Sequence, residues 1–221
     1  MVAMADRDAL LLPALREQLA LRQAALDGGA TRVGWKLGLG DRERIGPGPV
    51  VGHLTSRTVL TAGSGCSVAA YAVPRADAEV AVRFTRPVDP DGGPDEVRAA
   101  AGAFTTALEL CDLGGVDDPA AIVTANLFHR AVAFGAWTPG FPRPAARVAV
   151  TVDGLVLAQG CVHRDLDRLL LRAAWLLDAV DERIDAGDIV ITGSVVQVAV
   201  RDGHRVGAHI DGCGAVSLDL G

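Results

Sequence analysis

The chain has 221 residues, 50% of them apolar and 22% charged, with 21 basic against 27 acidic side chains and a net charge of −6. That length suits one domain or a tight pair with a core that needs no staples, and the composition excludes a disordered chain. The acidic balance argues against nucleic acid as a partner, because phosphate recognition needs a basic surface. No apolar run approaches the ~20 residues of a membrane span. Asp6 and Asp8 stand where a secretion signal would carry positive charge, so a cytoplasmic protein without a membrane partner is expected.

In chain order, apolar residues at helical spacing predict a helix from Ala9 to Leu26, stopped by Gly28-Gly29. Val33 to Gly40 reads as a short glycine-punctuated strand, and Asp41 to Gly52 as a polar Gly/Pro-rich loop. Ala78 to Phe84 alternates as a strand. A turn cluster at Asp89 to Asp95 precedes a helix over Glu96 to Ala103 and a strand over Thr106 to Cys111. Asp118-Pro119 has the form of an N-cap with proline in the first turn, opening a helix to Phe128. Asp153-Gly154 between two apolar runs predicts a hairpin. The clearest helical period covers Leu166 to Ile184, and strands are expected at 188–193, 195–200, 206–210 and 215–220, with a second hairpin turn at Asp202-Gly203. Helices with hairpin-linked strands make an α+β chain with a β-rich core rather than a βαβ array. The expected division is a helical N-terminal segment, 1–32, and a β-rich domain, 33–221.

Four cysteines, Cys66, Cys111, Cys161 and Cys213, lie about 50 residues apart without a CxxC pair and read as reduced core or loop residues. The five histidines do not cluster, and no HExxH or Gly-x-Ser-x-Gly motif is present. The glycines at 34, 38 and 40 do not have the spacing of a dinucleotide loop. Three carboxylates are more informative. Asp77 and Glu79 alternate on a strand and so share one face, where two like charges need a cation, a shared proton or arginine partners. Glu109 is the only charge in the strand Ala103 to Cys111, so it must be paired, protonated or metal-bound. Three carboxylates with water and substrate oxygens suit Mg2+ or Mn2+, while an arginine-paired core glutamate is the alternative. Lys36 is the single lysine among 20 arginines, a position where a guanidinium would not serve.

Gly34-Trp35-Lys36-Leu37-Gly38-Leu39, Pro74 to Ala81, Ala107 to Asp112, Gly187 to Gly193 and the closing Gly207 to Leu220 occur in that order. Together they resemble the 2-keto-4-pentenoate hydratase and 2-oxo-3-hexenedioate decarboxylase family of the fumarylacetoacetate hydrolase superfamily, over about Gly34 to Leu220. The resemblance implies a β-rich mixed-sheet roll with a short helical N-terminal part, and a homo-oligomer. It also implies a divalent metal held by Asp77, Glu79 and Glu109, with Lys36 as the catalytic lysine and Leu39, Asp112, Asn126 and Thr192 as substrate contacts. The chain departs from the family at Asp77 (usually glutamate), at Ala125-Asn126 (often Asp-Asn), at the 40–52 loop, which lacks the usual Thr-Ser start, and in a shorter N-terminal part. The implied activity is a metal-dependent lyase, a hydratase acting on a small 2-oxo acid or its 2-hydroxy-dienoate tautomer. The alternatives are a decarboxylase on the same site, a C–C hydrolase or tautomerase, and a relative whose pocket has been repurposed.

Overall fold

A computed structural model describes residues 2–39 and 48–221. The part of the expected 41–52 loop up to Pro47, and the end of the first expected strand at Gly40, lie outside the described residues. The fold is α+β, built on two sheets. The larger holds β1 (Arg32–Gly38), β2 (Val50–Thr55), β3 (Val59–Leu60), β5 (Pro74–Phe84), β6 (Ala101–Asp112), β7 (His129–Phe134) and β11 (Ile189–Ile191) in the order β2-β1-β11-β5-β6-β7-β3. Two short strands join it: β12 (Val196–Ala199) pairs with β5, and β8 (Thr138–Pro139) with β6. The pairs β1–β11 and β3–β7 are parallel and the others antiparallel, so the sheet is mixed. The smaller sheet runs β10 (Leu155–Cys161), β9 (Arg147–Val152), β13 (Arg205–Ile210), β14 (Gly214–Leu220) and β4 (Gly65–Cys66).

The central pair, β5 and β6, is buried on both faces, and its period of two sorts those faces by chemistry. Ala76, Ala78, Val80, Val82 and Phe84 of β5, with Phe104, Leu108 and Leu110 of β6, enter the main core. There they share one cluster with Val148, Val150, Val206, Ile210 and Leu218 of the smaller sheet. The intervening residues turn away from that core and include Asp77, Glu79 and Glu109, each buried. Further along the same face, Ala81 and Ala107 join Leu54, Val132 and Ile191 in a separate apolar cluster.

Helix α1 (Val2–Asp27) extends the expected helix at its N-terminal end and runs through Pro13. Leu11 and Leu15 are buried, Leu19 is partly buried, and Leu10 is 62% exposed. No helix of the described residues is long and apolar enough to cross a membrane. Helix α2 (Pro94–Ala100) is shorter than expected, because the chain passes directly into β6, which begins at Ala101. Helix α3 (Pro119–Thr124) has the expected cap, Asp118 accepting from the Ala121 N–H at 2.9 Å. It stops before Phe128 because Asn126, Leu127 and Phe128 all take positive φ (61°, 54° and 65°). The side chain of Asn126 explains that bend: its Oδ1 accepts from the His53 N–H at 2.8 Å and its Nδ2 donates to the His53 carbonyl at 3.0 Å. Helix α4 (Leu166–Asp178) ends short of Ile184, closed by the Val180 and Glu182 N–H groups on the Leu177 carbonyl.

Strand β2 falls partly within the expected 41–52 loop, where flanking Gly and Pro hid its buried Val50 and Val51. Asp153-Gly154 makes the expected hairpin between β9 and β10. Asp202-Gly203 does not: it carries the chain from β12 in the larger sheet to β13 in the smaller one. Asp202 instead accepts from the Val68 N–H at 2.7 Å and the Ser67 hydroxyl at 2.8 Å, fixing that crossing.

Gly34 secures the position of β1 beside β11. Its φ is +144°, and a Cβ there would lie 2.0 Å from the Ile189 carbonyl oxygen, a backbone atom that cannot yield cheaply. Gly34→Ala is therefore expected to destabilise the protein by at least about 2 kcal/mol in chemical denaturation. A loss below about 0.5 kcal/mol would contradict this close packing.

Candidate functional site

The carboxylate face of β5–β6 opens into a cavity of about 340 Å³ lined by Lys36, Leu39, Asp77, Glu79, Glu109, Cys111, Leu127, Phe128 and residues 194–197 among others. The antiparallel register sets Asp77 directly opposite Glu109, with Glu79 one step along the same face. The segment between β11 and β12 lines the cavity beside them. Along that segment the Thr192 N–H bonds Val80 O, the Gly193 N–H bonds Glu79 Oε2 at 2.8 Å, and the Val195 N–H bonds Ala78 O. Strand β1 brings in Lys36, whose Nζ donates to Glu109 Oε1 at 2.5 Å and to the Leu127 carbonyl at 3.1 Å. The left-handed turn that ends α3 is what aims this carbonyl at the lysine.

Glu109 has a third partner. His129 Nδ1 lies 2.6 Å from the same Oε1, and its Nε2 lies 2.9 Å from Thr58 Oγ1. Burial acts to raise the Glu109 pKa, but Lys36 and the His129 hydrogen bond overcome it and hold the carboxyl at about 2. Burial likewise disfavours the Lys36 ammonium, yet Glu109 beside it and Glu79 beyond hold its pKa above the ordinary lysine value. Burial lowers the pKa of His129. Asp77 is pushed up to about 7 by burial and by the charge of Glu109, and the same two causes carry Glu79 well above the carboxylate range. Burial also pushes the Cys111 thiol well up.

The cavity thus gathers Lys36, Asp77, Glu79, Glu109 and Leu39 from the expected set. It does not gather the side chains of the other three expected substrate contacts. Asp112 lies three residues beyond Glu109, on the other face of β6, and accepts from the backbone N–H groups of Ala72, Val73 and Gly114. Asn126 is engaged with the backbone of His53. Thr192 donates its hydroxyl to the Val80 carbonyl at 3.1 Å. Each of these side chains holds the backbone around the cavity rather than facing into it.

His129, Thr58 and Cys111 join or adjoin the cluster without having been singled out in the sequence. The available signals were the position of Cys111 two residues after Glu109 on the same strand, and the apolar run Ala131 to Phe134 after His129 that marks β7. An arginine-paired Glu109 is overturned: its partners are lysine and histidine.

The cluster suits a divalent cation on its own chemistry. With every group ionised, three carboxylates and one ammonium leave a charge of −2 in a buried pocket, and such charge needs a counter-ion or protons. Asp77 Oδ1 is buried with no hydrogen-bond partner among the described residues.

A mixed two-sheet fold around a buried carboxylate–lysine cavity defines the class of protein, and sequence comparison places it more closely. Residues 42–220 match the profile of the fumarylacetoacetate (FAA) hydrolase C-terminal family, and the chain belongs to that family. Comparison with curated proteins finds no match. Among solved structures, it resembles 4-oxalocrotonate decarboxylase from Pseudomonas putida G7, complexed with magnesium and adipate. That similarity has a TM-score of 0.82 at 22% identity, covering 92% of this chain and 83% of the other. Fumarylpyruvate hydrolase from Pseudomonas aeruginosa, with Mn2+ and pyruvate, gives a TM-score of 0.64 at 16% identity, covering 86% and 89%. A 5-carboxymethyl-2-hydroxymuconate delta-isomerase from Mycobacterium smegmatis gives 0.61 at 15% identity, covering 86% and 78%. At these identities the likeness concerns the fold.

The raised Asp77 pKa has a consequence for the metal-free protein. A folded value of about 7 against an ordinary 3.8 gives a contribution that is complete below pH 3.8 and is lost as pH rises through 7. In chelator, the unfolding midpoint of the wild type relative to Asp77→Asn should fall between about pH 4 and 7. A pH-independent difference between the two would contradict the buried, proton-holding state of Asp77.

Proposed function

We propose that this chain is a divalent-metal-dependent lyase that acts on a small 2-oxo acid or its 2-hydroxy-dienoate tautomer. The observation that carries the reading is the convergence of Asp77, Glu79, Glu109 and Lys36 in one cavity. Asp77, Glu79 and Glu109 would hold Mg2+ or Mn2+, the ions named with two of the similar structures. Such an ion, when bound, supplies a Lewis acid that polarises the 2-oxo group.

The chain's own residues supply the rest. Lys36 is held protonated by Glu109, so it acts first as a proton donor, from Nζ to a carbon of the dienolate. This protonation, with the 2-hydroxyl proton released to solvent, leaves a 2-oxo-alkene. Water then adds its oxygen to the far carbon and returns one proton to Nζ, and the carbon next to the 2-oxo group takes a proton from solvent, which completes hydration. The Leu127 carbonyl and Glu109 fix the direction in which Nζ presents its protons. Leu39, Leu127, Phe128, Val195 and Val196 form an apolar wall for the substrate's carbon chain. Among the described lining residues Lys36 is the only cation, which favours a substrate with one carboxylate and an apolar tail.

Decarboxylation is the second reading, favoured by the TM-score of 0.82 to a decarboxylase structure. There the departing CO2 leaves its electron pair as the same enolate, and Lys36 protonates the carbon. The proposal includes a cytoplasmic homo-oligomer. Leu155, Val156 and Leu157 at the edge of the smaller sheet are 52–69% exposed, apolar surface that a second copy would cover.

Incubation of 2-hydroxy-dienoates with protein and Mg2+ tests the reading through loss of their ultraviolet absorbance. Mass analysis separates hydration, by gain of water, from decarboxylation, by loss of CO2. Lys36→Arg should lower turnover by about 10²-fold or more while retaining the fold, since a guanidinium is a far weaker acid than an ammonium and cannot present a proton from the position of Nζ. Wild-type turnover in Lys36→Arg would remove Lys36 from the mechanism, and no conversion of any 2-oxo acid would overturn the proposal.

A further inference from the structure

We propose that Asp77, Glu109 and Cys111 form a mixed oxygen–sulfur site for a thiophilic divalent ion of the Zn2+ or Co2+ kind, with Cys111 Sγ as a direct ligand. The inference rests on reading this cavity as a metal site and deepens that reading, because it concerns which ions the chain selects and through which atoms.

Geometry supplies the first argument. Glu109 and Cys111 are two residues apart on β6 and point to the same face, while Asp77 faces them from β5. One donor atom from each of the three lies within 4.8 Å of the others, close enough for one ion to touch all three. Cys111 Sγ already lies 3.8 Å from Asp77 Oδ2. It is 2% exposed, lines the cavity and forms no disulfide.

The second observation is independent of the cysteine. Asp77 is 4% exposed and lines the cavity; the Ser194 and Gln197 side chains lie beside its carboxylate, but its Oδ1 has no partner in hydrogen-bond geometry among the described residues. A buried carboxylate oxygen without a donor calls for a cation or a proton. Glu109 is meanwhile held in place through Oε1 by Lys36 and His129.

Ligand softness decides what the thiol adds. Mg2+ prefers hard oxygen donors and would be served by Asp77, Glu79 and Glu109, leaving the sulfur idle. Zn2+ and Co2+ accept thiolate readily, so for them Cys111 adds a favourable ligand to the same cavity. On binding, the Sγ–H bond breaks, an Sγ–metal bond forms and the proton passes to the buffer, with no change in oxidation state. The positive charge of the ion is what allows a buried thiol to ionise.

Co2+ titration of the whole protein reads the site directly, because thiolate ligation produces a sulfur-to-cobalt charge-transfer band distinct from the weak ligand-field bands of any bound Co2+. The wild type should show both. Cys111→Ser and Cys111→Ala should lose the charge-transfer band and bind Co2+ at least about 10-fold more weakly, since even outer-shell partners of a metal are worth 10–100-fold. X-ray absorption of the Zn2+-loaded wild type should show a sulfur neighbour at about 2.3 Å, and this needs no variant to fold. Ligand-field bands without charge transfer, or a band that survives both substitutions, would overturn the role of Cys111 while the carboxylate site stood. Absence of any Co2+ binding would overturn both.

Discussion

The buried pair of Lys36 and Glu109 is the constraint on which the site depends. Side chains exposed by only 3% and 1% meet at 2.5 Å, far from the water that would otherwise solvate their charges. Two ions in such a place cost several kcal/mol each in lost hydration, and they persist only with good geometry and further hydrogen bonds. Glu109 gains its second bond from His129, and Lys36 gains its own from the Leu127 carbonyl. The pair thereby leaves Asp77 and Glu79 as carboxylates that must hold protons or a cation. Apolar residues of similar volume in place of both partners would often be as stable, whereas removing one alone would strand a buried charge. The arrangement therefore makes sense as chemistry kept ready rather than as a stabilising contact.

Core and site are two faces of the same two strands. From Ala76 to Phe84 every second residue of β5 is an apolar member of the main core, and the residues between include both carboxylates. A one-residue slip would exchange the two sets, placing the acids in the apolar core. Burial of Val80, Phe84, Leu108 and Leu110 thus sets the positions of Asp77, Glu79 and Glu109 as firmly as any contact within the cavity. The lysine depends on different neighbours. Gly34 lets β1 lie against Ile189, and the Asn126 clamp on His53 bends the chain so that Leu127 O meets Nζ.

Period-two patterning made the carboxylates legible: Asp77 and Glu79 alternate, and Glu109 is alone in an apolar strand. Lys36 stood out by composition. The helices α1 and α4 and the hairpin at Asp153-Gly154 followed from local periodicity and turn chemistry. What local pattern could not convey was pairing between distant segments. Strand β2 was hidden by the Gly and Pro residues before it, and β7, which begins directly after the expected helix, had no turn residues immediately before it to mark its start. With β7 unseen, His129 had no reason to meet Glu109. Asp202-Gly203 has the same turn chemistry as Asp153-Gly154, yet it passes between sheets, because the choice of partner strand belongs to the tertiary core. Asp112, Asn126 and Thr192 lie near the site in sequence, but their side chains are taken up by backbone groups.

Charge balance in the cavity is most directly measured by titrating Mn2+ into the metal-free protein by calorimetry, near pH 7, in two buffers of different ionisation enthalpy. One ion per chain should bind with net release of protons, because Asp77 and Glu79 carry raised pKa values when no cation is present. Glu109→Gln, which removes one of the three carboxylates, should abolish or greatly weaken the binding. Unchanged affinity in that variant, or binding without proton release in the wild type, would contradict a carboxylate pocket balanced by a divalent ion.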